Sequence, residues 1–174
     1  MKYLKKWFIY ETVFIIVGGS LLHFVYDLFK QNEFVGIFAL KNESIFEHLK
    51  LLIWPLIFFS IVEYLKFGYK KNNFITAKAI SLYSGIILVL FLVYGYTGII
   101  GKHNVILDIL IFIISVLLSQ YFGFKLLTSK YQVNSLIKAI ASILIVVLII
   151  LVVHFSFYPP SHSIFKDPTK TFLF

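Results

Sequence analysis

One uninterrupted aliphatic run decides the fold class: residues 143–153 read ILIVVLIILVV. The run lies inside a longer apolar segment from Leu136 to Phe157. A helix needs about 20 mainly apolar residues to cross the roughly 30 Å hydrocarbon core of a bilayer. Because the run is apolar around its whole circumference, most of its surface is expected to face lipid. The segment therefore predicts a transmembrane helix.

Four further segments have the same length and character. With the first one they make five predicted spans, at about 7–29, 45–67, 74–100, 105–127 and 136–157. None shows the period-two alternation of a barrel strand. The predicted fold is all-α, a polytopic bundle of five transmembrane helices. We expect one transmembrane domain over residues 1–174, in which 158–174 form an extracytoplasmic tail.

The composition points to lipid as the main partner. Of the 174 residues, 60% are hydrophobic and 14% are charged, whereas a soluble domain has about 25% charged residues. Cysteine is missing from the sequence, which excludes disulfides and thiolate chemistry. Every basic residue is lysine, and nucleic-acid readers favour the bidentate fork of arginine. We therefore expect a lipid bilayer, and no nucleic acid, as partner.

The distribution of the lysines predicts how the chain is oriented across the membrane. Ten of the 16 fall on one side of the predicted spans: Lys2, Lys5, Lys6, Lys66, Lys70, Lys71, Lys78, Lys125, Lys130 and Lys138. Lysine-rich short loops stay in the cytoplasm. The N-terminus is therefore predicted to be cytoplasmic and the C-terminus external, in a multi-pass protein of the cell (plasma) membrane.

Other ionisable residues cluster on the outer side. All five histidines lie there, with six of the eight acidic residues: Asp27, Glu33, Glu43, Glu47, Asp108 and Asp167. An ionisable group inside a span costs about 2.5–3.5 kcal/mol, so it normally faces the bundle interior. We expect one polar cavity that opens outward.

Histidine and carboxylate ligands suit Zn²⁺ and similar divalent metals when cysteine is absent. The candidate metal ligands are His23, Asp27, His48 and His154. His23 and Asp27 are four residues apart and share a helix face, so Asp27 either orients the imidazole or marks the membrane boundary.

Glu47 and Asp108 are the candidate catalytic residues, with Glu47 as the base. For Glu47 a structural alternative exists, because Ser44 and Glu47 form the S-x-x-E pattern of a helix capping box. Asp108 begins a stripe that continues with Ser115, Ser119 and Gly123, and small residues on a stripe allow close helix packing. We therefore expect Asp108 to point inward.

The C-terminal tail leaves the last span at Pro159 and Pro160, which stop the helix. Two interpretations of the tail stay open. It folds back over the cavity as a lid, or it is an interfacial tail anchored by Phe165, Phe172 and Phe174.

Several motifs occur together: Asn42-Glu43-Ser44, Glu47-His48-Leu49-Lys50, His23-Phe24-x-Tyr26-Asp27, and Phe157-Tyr158-Pro159-Pro160 with Phe165-x-Asp167-Pro168. With them the chain resembles, over essentially its whole length, an uncharacterised family of small bacterial multi-span membrane proteins, a domain of unknown function. The resemblance implies a multi-span fold and a bacterial origin. It implies no activity, substrate or catalytic residue.

Three functional classes remain open at this point. The first is a metal-dependent hydrolase that acts on a membrane-borne substrate. The second is a transport or binding protein for a cation or small solute, against which the inner half offers only two acids, Glu11 and Glu63. The third is a non-catalytic membrane component that binds a protein partner or a further copy of itself.

Overall fold

The structure is a computed structural model that describes residues 1–170. The helices are α1 (Lys2–Leu28), α2 (Ile45–Lys66), α3 (Phe74–Ile100), α4 (Val105–Leu127) and α5 (Ser135–Phe157). All five are long and apolar enough to cross a membrane, and the described residues contain no β-strand. The prediction of an all-α fold with five apolar helices is confirmed. The first helix begins at Lys2 rather than near residue 7, because lysine is a good helix former although it lowers the hydropathy on which the span was predicted.

Consecutive helices run antiparallel, so the bundle has two distinct ends. At one end, the ring of Phe46 in the first turn of α2 lies 6.2 Å from that of Phe155 near the end of α5. At the other end, the ring centroids of Phe8 in α1 and Phe124 in α4 lie 4.8 Å apart. We call the first the histidine end, because it carries all five histidines. The opposite one, where α1, α3 and α5 begin, is the lysine end.

The helices differ in how much of their surface the bundle covers. In α2, 61% of the most apolar 18-residue stretch is buried, whereas in α5 the share is 11%. The exposed side chains of α5 are aliphatic, for example Val146 and Ile150. The bundle thus has a central helix, α2, and presents an apolar outer surface.

A glycine sets the distance between α1 and α2. A Cβ atom on Gly19 would lie 2.5 Å from the carbonyl oxygen of Leu51 and 2.8 Å from the ring of Phe112, which no side chain can accommodate without a backbone shift. One helical turn beyond this contact, toward the histidine end, His23 of α1 and His48 of α2 come side by side. The close approach at Gly19 therefore brings the two imidazoles together.

The stripe of small residues on α4 faces α3. Ser115 and Ser119 are buried, and a Cβ on Gly123 would lie 2.8 Å from the carbonyl oxygen of Ala77. The predicted packing along this stripe is confirmed.

A buried ion cluster ties three helices together near the lysine end. Lys78 of α3 lies 2.5 Å from Glu11 of α1 and also pairs with Glu63 of α2. All three side chains are buried. They line a void of only about 10 Å³ together with Gln120, whose side-chain nitrogen has no hydrogen-bond partner.

Candidate metal centre

Two imidazoles and one carboxylate converge at the histidine end. His23 Nε2 lies 3.8 Å from Glu43 Oε1, and His48 Nε2 lies 3.5 Å from Glu43 Oε2. One ligand atom from each residue lies within 4.8 Å of the other two. We call these three residues the ligand cluster.

Local structure places each member of the ligand cluster. Ser44 is the N-cap of α2, and its side chain accepts a hydrogen bond of 3.3 Å from the Glu47 backbone N–H. Glu43 therefore stands just before the helix begins, and His48 stands one turn inside it. His23 lies on α1, one turn beyond the close contact that Gly19 makes with α2. One of the two hydrogen bonds of the predicted capping box, from the Glu47 backbone N–H to the Ser44 side chain, is thus confirmed.

The tautomer of His48 suits metal binding. Its Nδ1 lies 3.0 Å from the backbone oxygen of Ser44. Because a carbonyl oxygen can only accept, Nδ1 carries the hydrogen, and in the neutral imidazole the lone pair is then on Nε2, on the side of Glu43. Histidine ligands of metals are commonly oriented in this way by a backbone carbonyl.

The spacing of the ligand cluster is slightly wider than that of a tetrahedral zinc site. With metal–ligand distances of about 2.0–2.1 Å, ligand atoms in such a site are about 3.4 Å apart. Here the imidazole nitrogens lie 3.8 and 3.5 Å from different oxygens of Glu43, and one atom from each residue lies within 4.8 Å of the other two, so the three side chains would close slightly around a bound cation. Two histidines and one glutamate are a donor set of catalytic zinc sites, which leave a coordination position open. About a third of each imidazole side chain is exposed, 35% for His23 and 34% for His48, so solvent can reach that position.

The ligand cluster lies on the wall of a cavity of about 430 Å³. Side chains of α1, α2, α3 and α4 line it, and most are apolar, including Phe24, Leu51, Val93 and Phe112. The volume is within the range of about 300–1,000 Å³ that is common for small-molecule sites.

A second polar group borders the same cavity. His103 Nδ1 lies 3.5 Å from Asp108 Oδ2, and the Tyr96 hydroxyl donates a hydrogen bond to Asp108 Oδ1. The Tyr96 oxygen in turn accepts the backbone N–H of Asn104 at 3.1 Å. Asp108 thus faces the cavity, as expected, but its partners are Tyr96 and His103.

The described part of the tail borders the cavity. Pro168 and Thr169 line it, while the Phe165 ring packs 4.8 Å from Phe46. This arrangement corresponds to the lid interpretation. Of the proposed interfacial anchors, Phe172 and Phe174 lie outside the described residues.

Asp167 connects this tail to the ligand cluster. Partial burial by itself would raise the pKa of Asp167, but hydrogen bonds from Thr169 and from the Glu43 backbone N–H, with the charge of Lys170, hold the pKa below its usual value. The Thr169 hydroxyl and N–H donate to Asp167 at 2.6 and 2.9 Å.

Two expected metal ligands lie outside the ligand cluster. Asp27 is exposed and accepts a hydrogen bond from Gln31 at 3.3 Å rather than from His23. His154 is exposed, and its ring packs on Phe155 and Tyr158. In this geometry neither residue reaches the ligand cluster, because Asp27 lies one turn further along α1 than His23 and α5 packs at the periphery of the bundle. Their assignment as metal ligands stays a prediction from the sequence.

Glu47 has a different environment from that of a catalytic base. It is buried, and its Oε2 accepts hydrogen bonds from Lys50 Nζ at 2.6 Å and from the Lys41 backbone N–H at 2.7 Å. Lys50 is fully buried and also donates to the Gly36 carbonyl at 2.6 Å. Glu47 thus holds the loop between α1 and α2, and the catalytic role expected of it finds no support in this geometry.

Sequence reasoning did not select Glu43 as a ligand. It lies five residues from His48 and outside the helix, so no helical periodicity connects the two. The signal in the sequence is indirect: the spacing of Glu47 and Lys50 (i, i+3) favours their pairing with each other, which leaves Glu43 as the free carboxylate of this motif.

Comparison with protein-family models matches residues 1–171 to a family of unknown function, DUF6512. No curated protein and no solved structure matches the chain. The family description carries no activity, so the function has to be argued from the site itself. The chain belongs to the family of unknown function DUF6512.

Proposed function

We propose that this protein is a membrane-embedded, metal-dependent hydrolase of a membrane-borne substrate, with a divalent cation such as Zn²⁺ bound by His23, Glu43 and His48. One observation carries the proposal. Three potential ligands from separate parts of the chain meet on the wall of a cavity of about 430 Å³.

The chemistry follows from the ligand set. A divalent cation held by two neutral imidazoles and one carboxylate keeps a net positive charge, with which it would activate a water molecule and polarise a carbonyl oxygen. His103 faces the same cavity and is suited to proton transfer, the usual role of histidine in hydrolysis. Asp108, 3.5 Å from its Nδ1, would orient that ring.

The apolar surface and the lysines support the location. The outward surface of α5 is aliphatic, as lipid contact requires. Ten of the 16 lysines lie toward the lysine end, so we place that end in the cytoplasm and the histidine end outside the plasma membrane. Residues 1–174 then form one transmembrane domain whose last part, from residue 158, is external.

The lysine end favours catalysis over transport. There Glu11 and Glu63 pair with Lys78 around a void of about 10 Å³, which has room for about one water molecule. A solute path would have to break this ion cluster.

Zinc binding by the purified protein tests the proposal. We expect one Zn²⁺ per chain by elemental analysis in detergent. In His23→Ala, His48→Ala and Glu43→Gln, affinity should fall by more than the roughly 10–100-fold that loss of an outer-shell partner costs. The controls are Asp27→Asn and His154→Ala, which change exposed residues outside the ligand cluster and should bind zinc like the wild type.

Two results would contradict the proposal. One is a folded wild-type protein that takes up no stoichiometric zinc, cobalt or manganese. The other is unchanged affinity in the three ligand variants. If His154→Ala lost zinc instead, the result would favour the ligand set expected from the sequence, which includes His154.

A further inference from the structure

Beyond the ligand cluster, the cavity is an apolar groove between α1 and α4. Phe24 lies on one side, and Ile109 and Ile113 lie on the other. Near Gly19 the two helices are in close contact, because the space of a Cβ there is taken by the ring of Phe112. Toward the histidine end, residues of both helices line the groove.

The groove opens sideways. On its two edges Phe24 is 69% exposed and Val105 is 74% exposed, although both also line the cavity. Pro168 and Thr169 of the tail form another part of the cavity wall. In a bilayer, this side opening faces the lipid chains, so an apolar ligand can reach the groove without passing through water.

The length of the groove fits one hydrocarbon chain. The lining residues of α4 extend from Val105 to Ile113, eight helical steps or about 12 Å along the axis. The groove is thus shorter than one leaflet, and its polar wall lies at the histidine end.

The charges on the cavity wall indicate which kind of substrate head group the site can bind. Among the described residues that line the cavity, the carboxylates are Glu43 and Asp108, and no lysine is present. The two negative charges balance one divalent cation, so the loaded site is neutral. Sites for phosphoryl groups supply additional cations, usually arginine, lysine or a second metal ion. A neutral site is suited to an uncharged scissile group.

We infer that the substrate is a carboxylic ester or amide of a membrane amphiphile, with its acyl chain in the groove between α1 and α4. This inference rests on the proposed hydrolase function. In the reaction, the water oxygen bonds to the carbonyl carbon, and the bond from that carbon to the ester oxygen or amide nitrogen breaks. The proton taken from water passes through His103 to the leaving group, which gives a carboxylic acid and an alcohol or amine.

The first experiment tests the groove without using activity. The protein is placed in nanodiscs that contain a phosphatidylglycerol with a diazirine at the end of one acyl chain, and the photolabelled residues are mapped by mass spectrometry. We expect labels at Ile109 and Phe112. Labelling there should fall at least about tenfold in Ile113→Trp, whose indole fills the groove. The matched control is Ile114→Trp, because Ile114 is the next residue on α4 but points outward, 44% exposed.

The second experiment tests the head group. Zinc-loaded protein is given para-nitrophenyl decanoate, para-nitrophenyl acetate and the phosphate monoester of decanol. We expect the decanoate to be hydrolysed faster than the acetate, which has no chain to place in the groove. Hydrolysis of the decanoate should fall at least about tenfold with Ile113→Trp but not with the outward-facing Ile114→Trp. Turnover of the phosphate ester without turnover of the decanoate overturns the inference.

The two proposals fail separately. Zinc binding without photolabelling in the groove overturns this inference and leaves the metal site intact. Photolabelling without zinc binding overturns the hydrolase function, together with the ester or amide assignment, and leaves only a lipid-chain groove.

Discussion

The two ends of the bundle each assemble charged side chains from distant parts of the chain, but they do so in opposite ways. At the lysine end, Glu11, Glu63 and Lys78 are buried and pair directly around a void of about 10 Å³. At the histidine end, two imidazoles stand 3.5 and 3.8 Å from Glu43 beside a cavity of about 430 Å³. Groups that already pair with one another leave no position for a ligand, whereas spaced donors beside a cavity do.

The difference has an energetic origin. Removing a charge from water costs several kcal/mol, which a buried partner offsets only at close range. Lys78 is close enough to two carboxylates to compensate them, so this cluster stabilises the contact of α1, α2 and α3. The ligand cluster is more exposed and tolerates its wider spacing because water solvates it. We therefore expect mutations at the lysine end to affect stability and mutations at the histidine end to affect binding.

Replacing Lys78 should have the largest effect. Lys78→Met leaves Glu11 and Glu63 buried without a counter-ion, and removing one partner of a buried ion pair costs about 3–5 kcal/mol. Equilibrium unfolding in mixed detergent micelles measures this loss. The triple variant Lys78→Met, Glu11→Gln, Glu63→Gln should recover most of it, since no charge is left unpaired. Unchanged stability in Lys78→Met would contradict a structural role for the cluster.

A second prediction links helix packing to the proposed metal site through two adjacent glycines. Gly19→Ala should displace α1 from Leu51 and Phe112, with about 1–3 kcal/mol lost to overpacking and weaker zinc binding, because His23 moves away from His48. Gly18→Ala is the matched control, since its Cβ would meet Pro55 at an ordinary 3.7 Å. Calorimetric zinc titration measures both. Equal affinities in the two variants would mean that the approach of the helices does not position the ligands.

The smallest effect is expected at Asp167. Its pKa is lowered in the folded protein, so its contribution to tail attachment is present above the ordinary aspartate value of 3.8. That contribution is lost as the pH falls through the lower folded-state value. Since the chain has no cysteine, a spin label on Lys166→Cys, an exposed position of the tail, reports the tail alone.

The label should become more mobile in acid below about pH 4. In the Asp167→Asn variant it should already be mobile at neutral pH, where the carboxylate is missing. A label whose mobility is the same in both proteins at neutral pH would show that Asp167 does not hold the tail against the cavity.

The helices could be predicted from the sequence because the signal is local. Segments such as the run from Ile143 to Val153 carry their length and apolar character in consecutive residues, and neither depends on tertiary contacts. The packing stripe of α4, with Ser115 and Ser119, was equally accessible, since helical periodicity alone puts its members on one face.

The site could be predicted only in part, because it depends on contacts between separate elements. His23 and His48 were expected at one end of the bundle, and the topology brings them there. Glu43 lies outside the periodic pattern, and its position depends on how the loop before α2 folds. Glu47 was expected to be the base, but in the first turn of α2 it pairs with Lys50 and with the Lys41 backbone N–H of that loop. His154 was expected in the site, but α5 packs at the periphery.

The buried lysines also bear on the order in which the chain is made. Lys50 donates to Glu47 and to the Gly36 carbonyl, and Lys78 pairs with Glu11 and Glu63. All four acceptors precede their lysine in the sequence, so the ribosome has already synthesised them when the ammonium group emerges. Each cation can then be neutralised as its own helix joins the bundle, and the first three helices can pack together before the last two are translated.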